Sequence, residues 1–523
     1  MSSRVSELYD ELPFLGDAVP HAHSGFMEVI GRVRGMQPAA AAEASVLELG
    51  CGVGENLLPM AERYPGARLV GVDLSERQIA MGQSLARDCG LANVELQHGD
   101  ITALGPELGT FDYVLCHGVY SWVEAPVRDA LLRACRDHLA PQGLVYIGYK
   151  TYPGWHVHDM IRALMFAAAR GAVTPREQIA KSRAMFDVIR ASLPPDRAYH
   201  TLLRTELDKL AAAADDYLFH EYLETTNHPV YVDEFLRHAH SHGLQYAGDG
   251  AIGVCWKSQL PSDAERGLVA ITSDAVEQER FRDVMFNRAF RQTLLCHADV
   301  TLSHAITADR LRGLFLEGAF SPGRPNIDFA PGATECFVHR NGGRLSTSQR
   351  LLKAALLLLG QAWPGFVSFE DLVAACCWRV ESAGQPPIDP AEVRQLEHSL
   401  ADCCERPVIM LHSHAAVFAS VATESPVASP LARVQARDRH QVSNRRHEPV
   451  NLNPLDRWLL TLLDGRLKRQ QLIDHAAAAV ASGRLAVSKQ GQPIPSHDEA
   501  LRFLGDEVPA ALSRLTAAAL LVG

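Results

Sequence analysis

The sequence predicts an α/β protein built on a doubly wound sheet, followed by an α-rich region and two winged-helix-like modules. Three observations carry this reading. Apolar runs of strand length alternate with helical periodicity from about residue 45 to 150. A glycine-rich turn, "LGCGVGEN", separates the first of those strands from the first helix. From residue 334 onward, an order of short strand, apolar helix, stop and second helix occurs twice.

The bounds agree with a multidomain globular chain. A length of 523 residues exceeds what one core organises and implies about three to five units. The 47% hydrophobic and 21% charged content is that of ordinary folded protein. A formal charge of -11 weighs against unassisted attraction to nucleic acid or an anionic membrane. The opening "MSSRVSELYDELPFLG" lacks the basic flank and apolar run of a signal peptide, so a cytoplasmic location is expected. The stretch "LLKAALLLLGQAWPGFV" carries Lys353 and Gln361 and is too short to span a bilayer, so no membrane helix is expected. Eleven cysteines without a C-x-x-C pair read as reduced packing thiols.

The elements of the first unit follow in order. "SVLELG" has the branching of a buried strand, and "ENLLPMAERY" after the glycines has helical period. Such a turn lets backbone N–H groups approach a ligand, and the helix N-terminus adds partial positive charge. A second strand, "RLVGVD", ends at Asp73, where a carboxylate can accept both ribose hydroxyls. A third, "VELQHGD", ends at Asp100, placed to receive an adenine amino group. The strand "FDYVLCHGV", the helix "VRDALLRACRDHL" and the strand "LVYIGYK" complete the alternation. In such a sheet ligands bind at the carboxyl ends of the strands, the edge that holds Gly54, Asp73, Asp100 and His117.

The spacing Glu48-x-Gly50-x-Gly52-x-Gly54 differs from the G-x-G-x-x-G of dinucleotide enzymes. With the acids after the second and third strands, the run 44–150 resembles a class I S-adenosylmethionine-dependent methyltransferase with its Rossmann-like sheet. The resemblance implies that Glu48, Gly50, Cys51, Gly52, Gly54 and Asn56 surround the methionine portion of the cofactor. It places Asp73, Leu74 and Ser75 at the ribose, Asp100 and Ile101 at the adenine, and His117 at the same edge.

Methyl transfer is a direct displacement, so positioning and desolvation carry much of the rate. The acceptor belongs beyond the fourth and fifth strand ends, where "CHGVYSWVEAP" and "GYKTYPGWHVHDM" gather Tyr120, Trp122, Tyr149, Tyr152 and Trp155. Aromatic faces attract cations. For a lysine acceptor, holding the amine neutral at pH 7 costs about 4 to 5 kcal/mol, which an apolar aromatic pocket reduces. His117, His156 or a tyrosine hydroxyl would align it.

The phrases "YDELPF", "CHGVYSWV", "TYPGWH", "YLFHEYLE", "FNRAFRQTLLCH" and "SPLARVQA" resemble bacterial methyltransferases that carry a methyltransferase regulatory domain. Members of that family include protein-lysine methyltransferases acting on outer-membrane proteins. The resemblance adds Tyr9 to the candidate catalytic group of His117, Tyr120, Trp122, Tyr149 and Tyr152. Two departures stand out: "GYKTYPGW" puts Lys150 where the family pattern "SYNTYPGW" has asparagine, and "HAHS" replaces "QTHP" near the start.

The expected domains are a methyltransferase unit over 1–262 with a helical insertion over about 160–228, and a helical regulatory connector over 263–333. Winged-helix-like modules follow over 334–424 and 425–523. "PREQIAKSRAMFDVIRASL" places Ile179, Met185, Phe186 and Ile189 on one face of a helix in the insertion, which would lie over the acceptor pocket as a lid. "ERFRDVMFNRAFRQTLLCH" reads as a helix with apolar and arginine-rich faces. The second module opens with a linker carrying Arg433, Arg437, Arg439, Arg445 and Arg446, a charge run that fits a solvated face or an acidic partner better than DNA.

His238 and His242 lie one helical turn apart, and "HVHD" groups three ligand types, but neither cluster is completed by a zinc motif, so no metal is expected. Cys376-Cys377 and Cys403-Cys404 also lack metal spacing. The leading functional expectation is an S-adenosylmethionine-dependent methyltransferase acting on lysines of a protein, with the C-terminal modules presenting substrate or holding a homodimer. A small-molecule N- or O-methyltransferase and a cofactor-sensing scaffold are the alternatives.

Overall fold

A computed structural model describes residues 16–194, 197–250, 262–303, 305–405, 408–489, 492–493 and 497–522. Helix α1 (Ser24–Val33) precedes the alternating unit β1 (Ser45–Leu49), α2 (Leu57–Arg63), β2 (Arg68–Asp73), α3 (Glu76–Asp88), β3 (Val94–His98), β4 (Phe111–His117), α4 (Ala125–Asp137) and β5 (Leu139–Lys150). Four helices follow: α5 (Trp155–Ala168), α6 (Pro175–Ser192), α7 (Ala198–Ala212) and the short α8 (Asp215–Leu218), which runs into a π-helical turn at Phe219–Leu223. The chain then returns through α9 (Val232–Ser241), β6 (Leu244–Asp249), α10 (Ser262–Ile271), α11 (Ala275–Phe286) and β7 (Phe290–His297).

These strands form one seven-stranded sheet in the order β3-β2-β1-β4-β5-β7-β6. β1 to β5 pair in parallel, while β7 runs antiparallel to both β5 and β6. Alternate residues of each strand point to opposite faces, which sorts the core into two layers. Val46, Leu69, Tyr113, Leu115 and Tyr146 pack toward Met27, Ile30 and Val33 of α1. Leu47, Val70, Val114, Val145 and Tyr149 pack toward Leu131 of α4 and Phe235 of α9. The insertion has a cluster of its own, to which Ile179 and Phe186 contribute buried side chains and Met185 and Ile189 partly buried ones.

The structure corrects the helical reading of "ERFRDVMFNRAFRQTLLCH". The helix α11 stops at Phe286, Asn287 takes the left-handed conformation at φ 47°, and the remainder is β7. β7 pairs with a strand on each side, and its residues 293–296 are all buried, so it lacks the alternation that marks a half-exposed strand. The sheet is thus closed by a strand from beyond residue 262.

β7 is fixed by Arg291, whose side chain has no exposed surface and bonds Asp249 of β6 at 2.7 Å, Glu279 at 2.8 Å and Asp283 at 2.9 Å. Arg288 adds a bond to Asp249 at 2.8 Å. On the same face of the sheet, His238 and His242 meet Asp129 of α4 with Nε2 to Oδ1 distances of 2.7 and 3.4 Å. These histidines therefore clasp α9 to α4 instead of facing solvent.

The third region contains β8 (Phe315–Glu317), β9 (Phe320–Pro322), β10 (Glu335–His339), β11 (Arg344–Thr347), α12 (Arg350–Ala362), β12 (Val367–Ser368), α13 (Phe369–Ser382), α14 (Pro390–Cys404) and β13 (Met410–His412). The fourth contains α15 (Pro430–Asp438), β14 (Gln441–Ser443), β15 (Pro449–Asn451), α16 (Pro454–Leu460), α17 (Arg469–Ala481), the short strands β16 (Ser488–Lys489) and β17 (Gln492–Pro493), and α18 (His497–Ala517). The internal repetition is visible in the pairing. β8 is flanked by β12 and β13, and in the last region Val427 bridges Asp464 while Ala428 bridges Leu521.

The supposed arginine linker is folded as α15 and a hairpin, and three of its cations are used within the chain. Arg445 bonds Glu62 at 2.8 Å, Arg446 pairs with Glu317, and Arg433 stands 3.8 Å from Asp464. No helix among the described residues is long and apolar enough to cross a membrane.

Removing one member of a buried ion cluster strands its partners in low dielectric. R291M is expected to cost about 3 to 5 kcal/mol, read as a lowered urea midpoint at pH 7.

Candidate active site

The glycine turn is shaped by three left-handed residues, Gly50 at φ 76°, Gly52 at φ 55° and Gly54 at φ 83°. At Gly50 a Cβ would stand 2.3 Å from Cγ2 of Val119, so the turn needs glycine for space as well as for its torsion. The turn is tied to β2: Gly52 N–H donates to Oδ2 of Asp73 at 2.9 Å, and Ser75 N–H donates to Oδ1 at 2.8 Å. Asp73 is therefore oriented by one bond on each oxygen. Ser75 also caps α3 by accepting from Gln78 N–H. Asp100 caps the turn after β3, accepting from the N–H and Oγ1 of Thr102, both at 2.8 Å.

Glu48, on β1, is buried at 2% exposure. Its Oε1 accepts from Nδ2 of Asn56 at 2.6 Å, while its buried Oε2 has no hydrogen-bond partner among the described residues. Burial pushes the Glu48 carboxyl up to about 8, with the single Asn56 bond opposing it weakly. Glu55 is raised to about 7 and Asp73 is raised as well, both chiefly by burial. Asp17, which lines the same pocket, is raised by burial too, so the pocket holds several carboxyl groups whose ionisation would be favoured by an incoming cation. His117 is driven the other way, to about 4 by burial, so its imidazole is neutral near pH 7. Its Nδ1 lies 2.9 Å from the Tyr146 hydroxyl.

The cavity runs from these residues past Val119 and Trp122 to the end of β5. There the insertion contributes His220 and Glu221 from its π-helical turn, followed by Glu224, and β7 contributes Phe290. A π turn inside a helical segment is a frequent device at functional sites, because it re-aims side chains that an α-helix would carry past. Lys150 enters from the sheet: its Nζ is 2.8 Å from Glu221, 3.3 Å from the Trp122 ring centroid and 4.1 Å from that of Trp155. Oε2 of Glu224 is buried and has no hydrogen-bond partner among the described residues.

Of the residues singled out from sequence, Glu48, Gly50, Cys51, Gly52, Asn56, Asp73, Leu74, Ser75, Asp100, Ile101, His117 and Trp122 all line this one cavity. Gly54 stands in the turn behind it, its N–H closing on Cys51 O at 2.8 Å. The expected acceptor tyrosines are placed differently. Tyr149 has no exposure and stacks on Phe235 at 4.0 Å, because it alternates onto the α9 face of β5. Tyr120 is buried beside it, with its hydroxyl 2.8 Å from Nδ1 of His238. Tyr152 donates to Asp159 at 2.7 Å and stacks on His156, outside the cavity lining. Tyr9 lies outside the described residues. Glu221 and Glu224 escaped the sequence reading, although the phrase "YLFHEYLE" that contains them was conspicuous for acids beside aromatics.

Comparison with known proteins decides what this cavity belongs to. An uncharacterized protein of Rickettsia prowazekii, RP789, is 30% identical over 529 residues, covering 98% of this chain and 93% of that protein. Family models match at 46–143 (methyltransferase domain), 214–297 (predicted methyltransferase regulatory domain) and 424–520 (PKMT, C-terminal winged helix domain). The solved structure of PKMT2 from Rickettsia typhi superposes with a TM-score of 0.85 at 27% identity, covering 98% of this chain and all of that one. The same protein in complex with AdoHcy superposes at 0.86.

The chain belongs to the PKMT family of methyltransferases. It is an S-adenosylmethionine-dependent enzyme, with a Rossmann-like sheet and a C-terminal winged helix. The regulatory model covers α9, β6 and β7, so in this PKMT-type enzyme that region supplies two strands of the sheet itself. S-adenosylmethionine, when bound, supplies a methyl carbon activated by a sulfonium. The cavity fits such a donor on its own evidence: the unpartnered oxygen of Glu48 calls for a cation, and the donor is cationic.

A cation entering beside Glu48 stabilises its ionised form, so donor binding releases a proton below the carboxyl's raised value. Affinity for S-adenosylmethionine is expected to rise as pH increases from about 6 to about 8.5 and then level off. Calorimetry across that range would show it, and the slope should be shallower for E48Q.

Proposed function

We propose that this enzyme methylates lysine side chains of a protein. The observation that carries the reading is the acceptor end of the cavity, where the Trp122 ring already accommodates the Lys150 ammonium and the half-buried Glu221 and buried Glu224 line the same space. A ring face and two acids select a cation, and burial makes that cation give up its proton more readily. An ester-forming or phenolic acceptor would find like charge there instead. The printed name of the solved relative, PKMT2, supports the same chemistry.

The division of labour follows from the geometry. Glu48 and Asn56 would hold the amino acid end of the donor, Asp73 the ribose hydroxyls, and Asp100 with Ile101 the adenine. His117 is neutral and is suited to orient an amine by a hydrogen bond, while its depressed basicity makes it a poor proton acceptor at pH 7. Glu224 would receive the acceptor ammonium before it is deprotonated. Trp122, Phe290 and the π turn line this end of the cavity, where apolar surface would reduce competing hydration of the amine.

The winged-helix modules support a macromolecular acceptor. The first shares its apolar core with the sheet, since Leu314, Leu316, Phe337 and Leu351 belong to the same buried cluster as Val46 and Leu69. Deleting it would open that core, so point substitutions test function more cleanly than truncation.

Incubation with methyl-labelled donor and a host protein extract, followed by acid hydrolysis, is expected to yield N-methylated lysine. Label recovered instead as volatile methanol from esters or in small metabolites would refute the proposal. E224Q should lower kcat/KM for the protein acceptor while leaving AdoHcy affinity unchanged in calorimetry.

The ribose assignment has its own check. D73A removes an acceptor of two charge-assisted hydrogen bonds and is expected to weaken AdoHcy binding by about 10- to 100-fold. Unchanged affinity by calorimetry would place the ribose elsewhere.

A further inference from the structure

The acceptor end of the cavity contains a lysine of the enzyme's own. Lys150 is the last residue of β5 and is 2% exposed. Its backbone is pinned on both sides: its N–H donates to Oγ of Ser121 at 2.9 Å, and its carbonyl accepts from Val230 N–H at 3.2 Å. Only the side chain has freedom, and it points among the indoles of Trp122 and Trp155 with Glu221 at its tip. The carboxyl ends of β1, β2 and β4, where the donor-binding residues stand, border the same cavity.

We propose that Lys150 is a methylation site of the enzyme itself, with its Nζ accepting the methyl group in cis. The inference rests on the lysine-acceptor reading of this pocket. A surface lysine would need to be carried into such a cage, desolvated and stripped of its proton. Lys150 already occupies it. Burial draws its amine down to about 8 against the opposing pull of Glu221, so a substantial neutral fraction exists in mildly alkaline solution.

In the step, the ammonium first loses a proton to solvent by way of the Glu221 carboxylate. The Nζ lone pair then forms a bond to the methyl carbon, the carbon–sulfur bond breaks with its electron pair on sulfur, and the products are AdoHcy and an N-methylated ammonium. No other reactant is needed. A methylated Lys150 keeps its charge at neutral pH but gains volume and loses hydrogen-bond donors toward Glu221. The modification would therefore change how the acceptor end is filled.

Peptide mass mapping of the full-length enzyme tests this directly. The peptide containing Lys150 is expected to carry one or more methyl groups, either as purified from cells or after incubation with S-adenosylmethionine near pH 8.5. The rate of gain should not depend on enzyme concentration, as a reaction in cis requires. K150R and K150Q should lose the label at this peptide while still binding AdoHcy in calorimetry, which separates loss of the site from loss of the fold. An unmodified Lys150 peptide under conditions where calorimetry shows the donor bound would overturn the proposal. Labelling of lysines in the extract alongside a blank Lys150 would overturn it too, while leaving the lysine-acceptor reading intact.

Discussion

Glu48 is a carboxyl group enclosed in the sheet with one oxygen bonded and the other bare. Isolated, such a group stays protonated, because charge in a low-dielectric site costs more than one amide bond returns. The surrounding structure is arranged so that this cost is met only when a cation arrives. Asn56, which holds the bonded oxygen, also accepts from the N–H of Val19 at 2.8 Å, and its Oδ1 lies 3.3 Å from Nε2 of His447. One amide therefore joins the cofactor turn, the N-terminal segment and the C-terminal region.

That junction explains why the C-terminal half is not a detachable appendage. His447 takes a left-handed conformation at φ 64° and packs edge-on against His23 at 5.0 Å, so the tip of the β14–β15 hairpin is driven toward the sheet. Arg63 of α2 bonds His414 at 2.7 Å and the Arg445 carbonyl at 3.0 Å, while Glu62 beside it receives Arg445. His414 and His447 are each lowered to about 3, chiefly by burial and further by Arg63, so both are neutral partners near pH 7. Charge at this seam is carried by Arg63, by the pair Arg445–Glu62, and by Arg446 with Glu317 and Glu448. A net negative chain thus spends part of its positive charge on its own assembly.

The fold was legible in the sequence where local pattern and final environment coincide. Parallel strands between helices, acids at strand ends and glycines at left-handed positions each follow from short-range constraints, and all of them converge on one cavity. The misreadings share a different cause. β7 was taken for helix because a strand covered on both sides shows no alternation, and its neighbours β5 and β6 lie far away in sequence. Tyr149 belongs by sequence to the aromatic group beyond the strand ends, yet it and Lys150 are adjacent on a strand and face opposite ways. The composition of "GYK" could place one of the two in the cavity, and only the sheet's register decides which. Glu221 and Glu224 could not be placed without the π turn, which shifts the helical phase by which such residues are normally assigned to a face.

The acceptor end of the cavity is balanced by charge that comes from two separate elements. β5 supplies the cation at Lys150, and the insertion supplies the anions at Glu221 and Glu224. With Lys150 paired to Glu221, the carboxylate left over is Glu224, so the site as folded retains room for one positive charge and not two. On the lysine-acceptor proposal, the incoming amine would either meet Glu224 or displace Lys150 from between its indoles. The first route leaves the Lys150–Glu221 contact as part of the wall. In the second, the insertion would have to release that contact, and its position would then depend on whether the acceptor is present. Among the described residues, the ion pair at 2.8 Å ties the tip of β5 directly to the π turn with a full charge on both sides. On the second route alone, substrate entry and movement of the insertion would be linked through this contact, because the side chain that yields its place is the one bonded to the π turn.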